Sequence, residues 1–135
     1  MGTNNMKFIN LTPHPVVLSN GTLNVTFTKD RGTPTARVEQ IVEERMIECE
    51  VAPGMMVSMP MNIVSRSVVY NLPEPAPGVV YIVSSMVATH VRRPDVIAPI
   101  TDSSCVRDTA GRVVSVKGFQ TFTATPVVTR ELATN

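Results

Sequence analysis

The sequence predicts a mostly β domain, a small barrel or half-barrel of about eight short strands with one short helix. Three observations lead there. Eleven prolines are spread through the 135 residues, and an interior proline removes a helix hydrogen bond and clashes with the preceding turn. Short runs of β-branched and aromatic residues recur between turn signals, the strongest being residues 78–83, GVVYIV. Only residues 86–91, MVATHV, have the character of a short helix. They follow Ser84 and Ser85, whose hydroxyls can accept from the N–H groups that open a helix.

In chain order, residues 7–11 (KFINL) make a first strand, and Thr12-Pro13-His14-Pro15 stops it. Two prolines around His14 fix the backbone and hold the imidazole in one direction. Residues 16–19 (VVLS) resume the strand. Asn20-Gly21 marks a tight hairpin. Residues 22–28 return, with Leu23, Val25 and Phe27 on one face. Residues 36–42 and 45–51 read as two strands around Glu43-Glu44, although 38–46 also fits helical spacing. Pro53-Gly54 is a turn, residues 55–61 (MMVSMPM) a methionine-rich connector, and residues 62–71 another strand. LPEPAPG then leads rigidly into residues 78–83. In the helix, Met86, Val87 and Val91 can face a core. Arg92, Arg93 and Pro94 end it, with Arg93 extended because it precedes proline. Residues 96–104 read as a crossing loop. Residues 105–108 and 112–119 form a hairpin on Thr109-Ala110-Gly111, with glycine where positive φ is needed. Residues 120–126 extend it.

The chain is long enough for one domain, placed at residues 6–126, with 1–5 and 127–135 as tails. With 43% apolar and 17% charged residues it should fold. Twelve basic against eleven acidic residues leave a net charge of +1. That balance argues against DNA or RNA as a partner and makes any anion site local. No run of about 18 apolar residues crosses a membrane, and the opening MGTNNMKFIN is no signal peptide. The expected location is cytoplasmic. Cys49 and Cys105 have neither metal-ligand spacing nor a nearby histidine, and read as buried small apolar residues. No metal or cofactor is expected.

Phosphate-binding, dinucleotide, zinc-protease and nucleophile-elbow motifs are all missing. An enzyme is therefore not the expected reading. Asp95 and Asp108 each adjoin an arginine that they could orient. Arg92, Arg93, Arg107 and Arg112 fall on neighbouring turns and strands, and fixed planar guanidiniums suit bidentate contact with phosphate. Phe119, beside Gly118, could stack on a base or pack in the core.

The segments NLTPHPVVL, ARV, LPEPAPGVVYIVSSMVA, RRPDVIAP and VRDTAGRVVSVKGF run in this order from Asn10 to Phe119. As a set they resemble a group of small phage and prophage proteins, the phage Thoeris anti-defence sponge family. The resemblance implies a small β-rich homo-oligomer that binds a cyclic ADP-ribose isomer, or in some cases a cyclic oligonucleotide, without cleaving it. The host's immune effector then receives no signal. On that reading Arg93 and Arg107 grip the pyrophosphate, and Asp95 or Asp108 accepts from ribose hydroxyls. Phe119 or His14 meets the base, and Ser84 and Ser85 at the helix start offer a second anion cradle. Two departures bear on ligand choice. Ser115-Val116-Lys117 stands where the family pattern has Gly-Cys-Arg, and a methionine-rich insert precedes Asn62. Two other classes compete: a structural or interaction module of a phage, and a nucleotide-processing enzyme with Asp95 or His14 as base.

Overall fold

A computed structural model describes residues 6–124. The expected tails, 1–5 and 127–135, lie outside the described residues, as does the last part of the 120–126 extension. The described chain is mostly β with one short helix, as expected, but no barrel closes. Its ten strands fall into one four-stranded and three two-stranded sheets. The chain divides into two compact units, one made of the residues up to Arg37 and from Val69, the other of Val38–Val68.

The first unit is built on a sheet of order β1-β6-β7-β10. β1 is Lys7–Asn10, β6 Val79–Ile82, β7 Val96–Pro99 and β10 Phe119–Gln120. β6 lies parallel to both β1 and β7, while β10 runs antiparallel to β7. Parallel neighbours need a crossover, and helix α1, Ser85–Val91, is part of it. This is why Val96–Pro99 is a strand and not the expected loop. Its Val96 and Ala98 are buried and complete the second face of the crossover. Leu11, Val80, Ile82, Val83, Val87 and Val116 are also fully buried, at about 1.5–3 kcal/mol of hydrophobic stabilisation each. The helix begins where the sequence suggested. Ser84 is its N-cap and accepts from the Val87 N–H at 3.3 Å. Arg92 closes it in the left-handed region at φ 48°. Met86 departs from expectation: it is exposed, and Val87 and Ala88 supply the buried face.

Two hairpins complete this unit. β2, Val16–Ser19, pairs with β3, Asn24–Phe27, across the turn at Asn20-Gly21. There the Asn20 carboxamide oxygen accepts from the Thr22 and Leu23 N–H groups. β8, Val106–Arg107, pairs with β9, Val113–Ser115, across a turn where Gly111 has φ 84°. Val116 bridges to β2, its N–H donating to Val17 O at 2.8 Å and its carbonyl accepting from Ser19 at 2.9 Å. The expected long strand 112–119 is therefore broken after Val116, and its end joins the main sheet as β10.

The second unit is a hairpin of two long strands, β4 (Arg37–Ala52) and β5 (Met55–Tyr70), turning at Pro53-Gly54 with Gly54 at φ 75°. The strand reading of 38–46 holds, but as one continuous strand. Glu43 and Glu44 do not break it, because both are exposed and keep their hydration. The methionine-rich segment is likewise strand and not connector. Cys49 and Cys105 are unpaired, and half-buried rather than buried.

Candidate functional site

An open cleft of about 680 Å³ lies within the first unit, inside the usual range for small-molecule sites. Its walls come from the Thr12–Pro15 turn, the start of β2, Ser84 and Ser85, Pro99 and Thr101, and the β8–β9 hairpin with Arg107 and Arg112.

Asn10 shapes the first wall. It is buried, and its Nδ2 donates to the His14 and Phe27 carbonyls, both at 2.9 Å. Its Oδ1 accepts from the Thr12 N–H at 2.9 Å. The single proton of the Thr12 hydroxyl lies between Asn10 Oδ1 at 2.6 Å and His14 O at 2.8 Å. A buried amide so fully used is costly to disturb. It fixes the two-proline turn that presents His14 to the cleft.

The hairpin shapes the opposite wall. Asp108 Oδ1 accepts from the backbone N–H groups of Ala110 and Arg112, both at 2.9 Å, and Oδ2 pairs with Arg112 Nε at 3.3 Å. Arg107 Nη1 donates to Gly111 O at 2.9 Å and Nη2 to Thr101 O at 3.0 Å. A guanidinium has more N–H donors than these two bonds use, so Arg107 is a cation held in place with donors to spare. Thr101 precedes a turn in which Asp102 Oδ1 accepts from the Ser104 hydroxyl at 2.6 Å and its N–H at 2.8 Å. Those bonds, the hydroxyl's first, lower the Asp102 pKa from its ordinary 3.8.

Of the residues expected to form one site, His14, Ser84, Ser85 and Arg107 line the cleft together. The remaining four do not. Arg93 grips Asp95 with two bonds, Nε–Oδ1 at 3.0 Å and Nη2–Oδ2 at 2.6 Å, and donates to Pro73 O at 2.9 Å. Its guanidinium carbon lies 6.0 Å from the centre of the Tyr81 ring. Arg93 thus ties the proline-rich turn to the start of β7, and Asp95 is buried as its counter-ion. Arg93 and Arg107 do not pair on one ligand. Asp108 serves the hairpin turn. Phe119 stands edge-on to Phe27 at 5.5 Å, and Phe27 packs on Phe8 at 5.3 Å, so its half-buried ring belongs to an aromatic cluster and does not line the cleft. Ser84 spends its hydroxyl on the helix cap, and Ser85 Oγ accepts from Gln120 Nε2 at 3.1 Å. Arg112 takes Arg93's place in the cleft. It was one of four clustered arginines, and only the hairpin geometry separates it from the others.

Among the described residues no group of histidine, cysteine, aspartate and glutamate could hold a metal ion, and no helix is long and apolar enough to cross a membrane. No family model, no curated protein and no solved structure matches the chain.

Proposed function

We propose that this protein binds a small anionic cyclic nucleotide in the cleft and holds it without cleaving it. The observation that carries this reading is Arg107, a guanidinium braced by two backbone carbonyls on the wall of a cleft that also contains Arg112 and His14. Braced cations bind phosphate with little ordering cost. The valine and proline lining suits the faces of a base and a ribose. The resemblance of the sequence motifs points to a cyclic ADP-ribose isomer, or a cyclic oligonucleotide, as the ligand. It makes the role that of a phage sponge that withholds an immune signal from its effector. Sequestration needs affinity and slow release rather than transition-state stabilisation, and the two carboxylates beside the cleft walls in sequence, Asp102 and Asp108, are engaged in turns.

The test is incubation with a panel of cyclic ADP-ribose isomers and cyclic di- and trinucleotides, followed by heat denaturation and chromatography of what is released. Recovery of intact ligand in stoichiometric amount is expected. Recovery of an altered ligand would make the protein an enzyme. No retention of any of them would leave the structural module as the better reading.

A further inference from the structure

The second unit carries an inference that does not depend on what the cleft holds. β4 and β5 have 16 residues each and are joined by the two-residue turn Pro53-Gly54, so Ala52 faces Met55 and Met46 faces Met61. Side chains alternate between the two sides of a hairpin. One side therefore holds the odd-numbered residues from Met55 to Ile63, all apolar, next to Glu44, Met46, Glu48 and Glu50. Val57, Met59 and Ile63 are half-buried, while Met46, Met55 and Met61 are 67%, 56% and 41% exposed. Among the described residues no third strand is hydrogen-bonded to this hairpin, and a two-stranded sheet alone is at best marginally stable in water. A partner that covers the stripe would stabilise it.

Charge selects the partner. Glu44, Glu48 and Glu50 are exposed along the β4 border of the stripe, and no lysine or arginine shares their side of the hairpin. Arg45 falls on the opposite side, where it pairs with Glu43 at 3.1 Å. A second copy of this side would set acid against acid, and a phosphate-rich surface would be repelled in the same way. An apolar segment with basic residues along one flank meets both the stripe and its border. Size favours a helix. The nine positions from Met55 to Ile63 extend about 27 Å at ~3.3 Å per residue, the length of about 18 residues of α-helix. Two strands ~4.8 Å apart offer a bed for one helix about 10 Å across. A helix also satisfies its own backbone groups, so it needs only side-chain contacts from the stripe. Methionine, with its flexible thioether, adapts to such a surface.

We propose that this side of the β4–β5 hairpin docks a basic amphipathic helix of another protein, its apolar face on the stripe and its lysines or arginines against Glu44, Glu48 and Glu50. The stripe supplies most of the affinity, and the exposed glutamates supply the choice of sign and the rate of encounter. The test is fluorescence anisotropy of a labelled, helix-forming peptide of about 18 leucine and lysine residues, titrated with the full chain at low and high salt. A peptide of the same composition in scrambled order is the probe control. The variants are Met59→Ser/Met61→Ser and Glu44→Gln/Glu48→Gln/Glu50→Gln, with Leu23→Ser, at an exposed apolar site in the other unit, as the protein control. Circular dichroism checks that each variant folds. The wild-type chain and Leu23→Ser should bind the amphipathic peptide more tightly than the scrambled one. The methionine variant should weaken binding roughly tenfold or more, and the glutamine variant should weaken it at low salt and flatten its salt dependence. No binding by the wild-type chain would overturn the proposal, as would equal binding of the scrambled peptide. So would undiminished affinity in both stripe variants, or a stripe that sedimentation shows to be occupied by a second copy of the chain.

Discussion

Arg93 and Arg107 are both arginines on turns, each near an aspartate, and the account gives them opposite roles. Arg93 neutralises a buried carboxylate, so Arg93→Ala leaves Asp95 charged and without its partner. Such a loss costs about 3 kcal/mol and should appear as a lowered melting temperature, with ligand affinity unchanged in the fraction that stays folded. Asn10→Ala should also destabilise, by about 1–3 kcal/mol, because four hydrogen-bonding groups around the Thr12–Pro15 turn lose a partner. Here affinity should fall too, since His14 is no longer held; thermal melts and titrations together separate the two effects. Asp102 gives a pH signature. Its folded pKa is lowered, so the stability it contributes is present above the unfolded value. That stability is lost as pH falls through the lowered one. The carboxyl carbon of Asp102, followed by NMR, should titrate below 3.8. A midpoint at or above that value would mean that the Ser104 bonds do not persist in solution.

At the scale of elements, turn chemistry was the most legible part of the sequence. Asn20-Gly21, Pro53-Gly54 and Thr109-Ala110-Gly111 all mark hairpin turns, because positive φ is a local demand that few residues meet. Ser84 and the start of the helix were legible for the same reason. Val96–Pro99 was not. A short apolar run next to two prolines looks like a loop, and only its parallel pairing with Tyr81 and Ile82 makes it a central strand. Long-range pairing of that kind leaves no local mark. The candidate site divides in the same way. His14 and Arg107 could be named from turns and composition, while Phe119 was ambiguous until Phe27, far away in sequence, claimed its ring. Gly111 joins turn and site, because its carbonyl accepts from Arg107. Gly111→Val should strain the turn by about 1–2 kcal/mol and weaken ligand binding with it, measured as parallel losses in melting temperature and affinity.

For the whole molecule, the β-rich class followed from proline density and strand-like runs, but the division into two units did not. Residues 38–68 alternate and turn as strands do, and a sequence does not say whether a core will form around them. The first unit has a well-buried core, and Ile82→Ala there should cost about 2–5 kcal/mol. The second unit has exposed apolar side chains instead, among them Met46, Met55 and Met61.

The central claim is that the cleft, and Arg107 within it, holds an anionic cyclic nucleotide. The most direct measurement is calorimetric titration of one such ligand, chosen from the panel by the strength of its binding, into the wild-type chain, Arg107→Ala and Arg93→Ala. The account predicts that Arg107→Ala weakens binding about ten- to a hundredfold, the equivalent of about 1.5–3 kcal/mol for a charged hydrogen bond, and that Arg93→Ala leaves it unchanged. Undiminished affinity in Arg107→Ala, with the loss falling on Arg93→Ala instead, would contradict it and move the site to the other end of the helix.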